Sequence, residues 1–259
     1  MDTVLVFDLT GPMAHFRKYY TNTSALTYGF PPRTVLMGIV AAILGYERDT
    51  YYEVLDQGRF AVGVKVPTRR LVQTVNYVRT KKEDLLELRR LARVPGTQTP
   101  LEFLLPASGY PTLRFRVFFA HPDRGIVVET ARRLREGRSY YPLYLGLTEC
   151  LASAHYLRLV RQGEYEVVPS KEIVTLTTVL NATLLQDFVL DGSSIPSRLV
   201  RERVPHSFGP GRALQPPASV IYEAAANPFT VRLRVEAYRF RFTGDGIATE
   251  TDTVAFLEE

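Results

Sequence analysis

Cationic and aromatic side chains are concentrated in two stretches of the sequence, a combination suited to a partner that carries phosphates and planar bases. The first stretch, residues 11–45, places a His, an Arg, a Lys and several aromatic residues ahead of a double proline and an apolar run. Arg33 lies just before this run, which predicts a helix, and the free N–H groups of a helix N-terminus attract anions. The alternative is that the aromatic residues and prolines only pack the helix against a sheet. The candidate nucleic-acid contacts here are His15, Arg17, Lys18, Tyr28 and Arg33.

The second stretch belongs to a long insertion, residues 67–111, and carries the strongest charge asymmetry in the chain. Six basic residues lie between positions 65 and 82, and the first acidic residue is Glu83. A basic, aromatic element suits single-stranded nucleic acid, where each stacked base contributes about 1–3 kcal/mol. The alternative is a solvated hairpin whose arginines keep a strand edge soluble. The candidate nucleic-acid contacts are Arg69, Arg70, Asn76, Tyr77, Arg79, Lys81 and Lys82.

Signals for catalysis or a bound cofactor are weak in this sequence. The four histidines, at positions 15, 121, 155 and 206, lack the spacing of a metal site, and neither a phosphate-binding loop nor a nucleophile motif is present. We therefore expect no metal, no cofactor and no catalytic residue. His15, close to Lys18 and two tyrosines, keeps metal-free acid–base cleavage of RNA as an alternative.

Composition predicts a soluble, cytoplasmic protein with no membrane association. The chain has 259 residues and a net charge of +5, which permits an anionic partner without requiring one. Cys150 is the single cysteine, so an intrachain disulfide is impossible and a reducing compartment is expected. The longest apolar run, residues 35–45, is far below the roughly 20 residues of a spanning helix.

Hydrophobic periodicity predicts an α+β fold that positions both stretches. The patterns predict a buried strand at 3–9, a helix at 34–44 that is apolar nearly all round and must be buried against a sheet, and half-buried strands at 59–66 and 112–119. A helix at 126–136 and a closing strand near 141–150 follow. This order is that of the ferredoxin-like βαββαβ unit. In the strand 112–119, Arg114 and Arg116 are predicted to point outward. An amphipathic helix is expected at 83–93, and further strands at 164–168, 173–180, 198–204, 229–242, with a bulge, and 247–257.

Four segments resemble the Cas-five family of CRISPR-associated proteins, closest to its type I-B branch. They are "FDLTGPMAHFRKYYTNTSALTYGFPPRTVLMGIVAAILG", "QTVNYVRTKK", "PLEFLLPASGYPTLRFRVFF" and "YYPLYLGLTECLA". The resemblance implies a ferredoxin-like (RRM-like) RAMP domain at 1–160, with a thumb hairpin at about 67–111, and a smaller β-rich region at 161–259.

The resemblance also implies a role in antiviral defence. A protein of this kind is a subunit of a type I Cascade surveillance complex and binds the 5′ handle of crRNA. Its partners are the backbone and large subunits and target DNA near the PAM. One branch of the family cuts precursor crRNA with a Tyr, a Lys and an adjacent His. Here His121 follows Ala120 and the chain has no Lys–His pair, so cleavage is the alternative function.

Overall fold

The computed structural model describes residues 2–21, 24–78, 81–92, 96–189, 198–244 and 247–258. Arg79, one of the predicted contacts, lies outside them. The elements of the first half are β1 (Thr3–Gly11), α1 (Arg33–Leu44), α2 (Tyr52–Asp56), β2 (Arg59–Val64), β3 (Thr68–Val78), α3 (Lys82–Arg89), β4 (Gly96–Pro106), β5 (Leu113–Ala120), α4 (Arg124–Arg135) and β6 (Ser153–Arg161). The second half adds β7 (Glu166–Val168), β8 (Ile173–Leu176), β9 (Leu180–Asn181), β10 (Leu185–Phe188), β11 (Leu199–Val204), β12 (Phe208–Gly209), β13 (Ala213–Leu214), β14 (Ala218–Glu223), β15 (Phe229–Leu233), β16 (Ala237–Gly244) and β17 (Ile247–Val254).

A four-stranded antiparallel sheet with the order β2–β5–β1–β6 is the centre of the fold. Helices α1 and α4 cover one of its faces, and Leu36, Val40 and Val127 pack there against Phe7 and Phe115. Helix α1 ends at Gly45, whose φ of 85° is the left-handed conformation that glycine adopts most readily. The strand and helix patterns read from residues 3–44 are therefore confirmed.

The other face of this sheet is also buried, which corrects the expectation of half-buried strands. Val6 and Phe118 on the sheet share a core with Phe240 and Val254 of the hairpin β16–β17. Arg116, predicted to point to solvent, is only 4% exposed. The alternation of charged and apolar residues suggested that one face of the sheet is exposed to solvent, but β16 and β17, which come much later in the chain, cover that face.

A buried ion-pair network crosses this second interface. Arg116 donates to Asp8 Oδ1 at 2.9 Å and to Asp252 Oδ2 at 2.9 Å. Its guanidinium also lies 2.8 Å from the carboxylate of Glu250. Lys65 pairs with Glu250 and, at 3.1 Å, with Asp252. The network offsets the cost of desolvating Arg116 and joins β1 and β5 to β17.

Two further strand predictions are wrong. The closing strand near residues 141–150 is a loop, and the fourth strand of the sheet is β6, which starts at Ser153. The stretch 229–242 is not one bulged strand. It divides into β15, which pairs with β8 and β10, and β16, which pairs with β7 and β17. The chain changes sheets between them, and this accounts for the slip in its apolar phase.

The insertion forms an arm built on β3 and β4. These strands pair antiparallel over eleven positions, from Thr68 opposite Pro106 to Val78 opposite Gly96. Along the outer side of β4, isolated bridges join Ala14 to Leu104 and Ala25 to Leu101, in the second half of the strand. Helix α3 follows β3 and ends at residue 89, within the predicted 83–93; residues 93–95 are outside the described part.

No helix in the described part of the chain is both long enough and apolar enough to span a membrane.

Candidate nucleic-acid interface

Four of the predicted cations are exposed and available to an anion. Arg69 lies on β3, Lys81 caps the N-terminal end of α3, and Lys82 is its first residue. Arg17 lies in the loop beside the arm, held by a backbone bridge to Thr27. Within the described ranges, none of these four side chains forms an ion pair or hydrogen bond. They give the arm and its neighbouring loop an uncompensated positive charge.

The remaining arm candidates are in mixed environments. Asn76 is exposed on β3, whereas Tyr77 is half-buried, and this burial raises the pKa of its hydroxyl. Arg70 is partly exposed but already paired, at 3.5 Å with Glu102 and at 3.4 Å with Glu202. Arg70 therefore braces the base of the arm rather than presenting a free charge.

His15 and Lys18 do not lie on the surface, which corrects the expectation of an exposed cationic loop. His15 is 2% exposed, and its Nδ1 is 2.8 Å from the carbonyl oxygen of Glu102 on β4. Lys18 is 7% exposed; its Nζ donates to Glu202 Oε1 at 2.6 Å and lies 5.6 Å from the centre of the Tyr28 ring. The Glu202 carboxylate already compensates the charge of this buried ammonium, so Lys18 is not available to pair with a phosphate.

Tyr28 and Arg33 are buried as well. The Tyr28 hydroxyl donates to the carbonyl of Arg203 at 2.8 Å, and burial raises its pKa. Arg33 is 2% exposed and pairs with Asp56 and with Glu258. Three backbone carbonyls, those of His206, Asp56 and Gly58, accept from its guanidinium too, so Arg33 joins α1 to the turn between α2 and β2 and is fully paired.

Several of these buried residues fix the base of the arm in place. Glu202 accepts from Lys18 and Arg70, while Glu102 accepts from the backbone N–H of Thr27 at 2.9 Å. The loop 14–27, the arm and β11 are thereby joined. The stretch 11–45 thus divides into a buried frame and an exposed portion that includes Arg17.

Sequence reasoning missed a groove between the outer side of α1 and the loop 141–146, called here the tyrosine groove. Its cavity has a volume of about 480 Å³. Helix α1 was predicted to be buried against a sheet; on its other side Thr34, Val35 and Gly38 are only half-buried and line this cavity. The aromatic and cationic lining consists of Tyr46, Tyr51, Tyr141, Tyr144, Arg48 and Arg212.

The described residues contain no cluster of three or more His, Cys, Asp or Glu side chains that could hold a metal ion. The histidines have structural partners. His121 Nε2 is 2.9 Å from the carbonyl of Val54, and its Nδ1 accepts from the Asp123 backbone. His155 is 3.1 Å from the hydroxyl of Thr10.

Comparison with known proteins identifies the family. A sequence model described as CRISPR-associated protein (Cas_Cas5) matches residues 4–216, well over half of the chain. One solved chain, from a CRISPR RNA-guided surveillance complex, has a TM-score of 0.51 at 18% identity, covering 88% of this chain and 91% of that one. A CRISPR protein from Archaeoglobus fulgidus has a TM-score of 0.49 at 12% identity, covering 97% and 98%. Curated proteins give no match. The chain therefore belongs to the Cas5 family of CRISPR-associated proteins, the family that its motifs resemble.

Proposed function

We propose that this chain is the Cascade subunit that binds the 5′ handle of crRNA and caps one end of the complex. The family match supports membership of a Cascade-type assembly. In this proposal the sheet β2–β5–β1–β6 with α1 and α4 is a ferredoxin-like RAMP domain of type I-B character, and the β3–β4 arm is its thumb. The backbone and large subunits are its protein partners, and target DNA near the PAM is a further one.

The observation that carries the proposal is the unneutralised positive charge along the arm. Arg69, Lys81 and Lys82 are exposed and lack acidic partners in the described structure. Cations that neutralise phosphates release condensed counterions, so such a surface favours a nucleic-acid backbone. Arg17 extends this charge onto the loop that packs against β4.

A competition assay tests the choice of RNA. The full chain, alone and with its partner subunits, is mixed with a labelled crRNA that begins with the repeat-derived handle. Unlabelled handle RNA should displace the label at lower concentration than spacer RNA of equal length. Equal displacement by both RNAs would contradict handle recognition, because the chain would then bind RNA without regard to its 5′ end.

We further propose that the subunit binds without cutting. His15 is buried, and Lys18, the lysine nearest to it in the sequence, is held by Glu202. Incubation with repeat RNA in EDTA should therefore leave the RNA intact. Site-specific products that disappear in a His15→Ala or His121→Ala variant would instead establish the metal-independent endoribonuclease.

A further inference from the structure

The floor of the tyrosine groove is open because α1 carries small residues there. Gly38, Ala41 and Ala42 line the cavity, together with the ring of Tyr51. A Cβ added to Gly38 would lie 3.3 Å from the Tyr51 hydroxyl oxygen, closer than an ordinary contact. A larger residue at position 38 would narrow the cavity. Its volume of about 480 Å³ falls in the range of small-molecule sites.

The wall of the groove is held rigidly by backbone hydrogen bonds. Tyr141 N–H donates to the carbonyl of Ala42 at 3.0 Å, and His15 N–H donates to the carbonyl of Leu145 at 3.0 Å. Gly146 turns the loop with a φ of 94°, and a Cβ there would lie 1.9 Å from the carbonyl oxygen of His15. The walls need little ordering when a ligand enters, which lowers the entropic cost of binding.

The lining offers a free aromatic face. Tyr144 is 43% exposed, and its ring makes no ring-to-ring contact with any other described residue. Two of the other rings already have partners: Tyr51 lies 4.6 Å from Tyr52 and Tyr141 lies 4.8 Å from Tyr140, measured between ring centres. The remaining ring, that of Tyr46, is more buried than Tyr144. A planar group entering the groove would therefore stack on Tyr144.

A free cation stands at the same opening. Arg212 is exposed and forms no ion pair or hydrogen bond within the described ranges; its guanidinium lies 5.9 Å from the ring centre of Phe208. Burial raises the pKa of the Tyr51 hydroxyl, and Tyr52 and Arg212 oppose that rise. Arg212 is thus within electrostatic reach of the aromatic lining, so the groove combines a stacking surface with an anion contact.

The groove wall and the arm are both held by His15. His15, whose N–H supports the groove wall at Leu145, uses its ring to contact the carbonyl of Glu102 on β4. The charge of Glu149, in the loop beyond Leu145, contributes to the raised pKa of Tyr77 on β3, after the larger effect of burial. The groove wall is thus tied to the base of the arm through His15 and lies within electrostatic range of β3.

We propose that the tyrosine groove binds one unstacked nucleotide of single-stranded RNA, its base on Tyr144 and a phosphate on Arg212. This inference rests on the proposed function, since the same RNA is the ligand. A planar base matches the aromatic lining, and the phosphate matches the unpaired guanidinium. An apolar side chain from a protein partner would pack against the aromatic lining but would leave the Arg212 guanidinium without an anion.

Fluorescence anisotropy with the full chain and a labelled 12-nucleotide single-stranded RNA tests the assignment. Tyr144→Ala should weaken binding roughly 5- to 150-fold, the factor that corresponds to one stacked base, with the salt dependence unchanged. Tyr144→Phe should bind like the wild type because it keeps the ring. Arg212→Gln should reduce the slope of log K against log salt by about 0.7. Phe188→Ala, which removes a similarly exposed aromatic ring on β10, outside both the groove and the arm, is the matched control.

The outcomes separate this inference from the proposed function. Wild-type binding of RNA together with unchanged affinity in both Tyr144→Ala and Arg212→Gln would overturn the groove assignment and leave the proposed function standing. Loss of a partner subunit in co-purification, with RNA affinity unchanged, would assign the groove to a protein side chain and overturn it equally. Absence of RNA binding by the wild type would contradict the proposed function and this inference with it.

Discussion

Replacement of Arg116 by Met should show how strongly the buried network joins the two halves of the chain. Arg116 is 4% exposed and faces three carboxylates, those of Asp8, Glu250 and Asp252. Met keeps much of the side-chain volume but removes the charge. After the change, Lys65 is the one remaining cation in contact with these groups among the described residues.

The loss in free energy of unfolding depends on the buried carboxylates that the substitution leaves without a cation. Removing one partner of a buried ion pair costs about 3–5 kcal/mol, because the other charge stays buried without compensation. We expect the upper part of this range, since Asp8 loses both of its hydrogen bonds from Arg116. Replacing Asp8 by Asn in the same chain should recover part of the loss, because the orphaned charge is then absent.

The pH dependence provides a second readout. Burial alone would raise the pKa of Glu250, but hydrogen bonds from Lys65 and Arg116 lower it to about 2. Its folded pKa is thus below the unfolded value of about 4.3. The stabilisation is therefore complete above about pH 4.3 and is lost as the pH falls towards 2. The free-energy difference between the wild type and Arg116→Met should narrow over this window.

Urea unfolding followed by circular dichroism, repeated at several pH values, measures both effects. Arg132→Met is a matched control, because Arg132 pairs only with Glu129 and Glu136 on the exposed surface of α4, and its unfolding midpoint should barely move. An Arg116→Met chain within about 1 kcal/mol of the wild type, or a difference that stays constant with pH, would refute the reasoning.

The remaining predictions concern the end of the chain and the groove wall. Glu258→Gln removes one of two carboxylates paired with buried Arg33 and should lower the free energy of unfolding by about 1.5–3 kcal/mol, because Asp56 still pairs with the guanidinium; an unchanged urea midpoint would contradict this. Gly146→Ala should destabilise the chain by more than the roughly 1–2 kcal/mol of the left-handed conformation, because its Cβ meets the carbonyl of His15. Gly137→Ala has the same sign of φ and open space, so a thermal shift as large in Gly137→Ala as in Gly146→Ala would disprove the clash.

Much of the fold could be predicted because its patterns are local. The apolar run of α1 and its terminal Gly45 define a helix without reference to the rest of the chain, and the alternation in β5 defines a strand. The arm was expected from the length of the insertion and its basic residues. Local patterns could not show that a second layer covers the sheet, since β16 and β17 come more than 100 residues after β5.

The site was predicted less completely, because the partners of its charges are distant in sequence. Lys18 is 184 residues from Glu202, and Arg33 is 225 residues from Glu258. A cationic side chain whose carboxylate partner lies so far away resembles a free cation in the sequence. The tyrosine groove had no local signal either, because its rings come from two segments about 90 residues apart, near Tyr51 and near Tyr144.

The central claim is that the arm holds the RNA, and the salt dependence of crRNA binding tests it most directly. A variant with three arm cations removed is compared with the wild type in the assembled complex, and a control variant has three exposed arginines removed elsewhere. The arm changes are Arg69→Gln, Lys81→Gln and Lys82→Gln, and the control changes are Arg114→Gln, Arg124→Gln and Arg161→Gln.

The account predicts that the arm variant binds crRNA more weakly. Its slope of log K against log salt should fall by about 0.7 for each phosphate that the arm no longer neutralises, about 2 in all. The control variant should keep most of the wild-type slope, although it has the same net charge. Equal affinity and an equal slope in the arm variant and the wild type would show that the arm does not bind the RNA and is only a solvated hairpin.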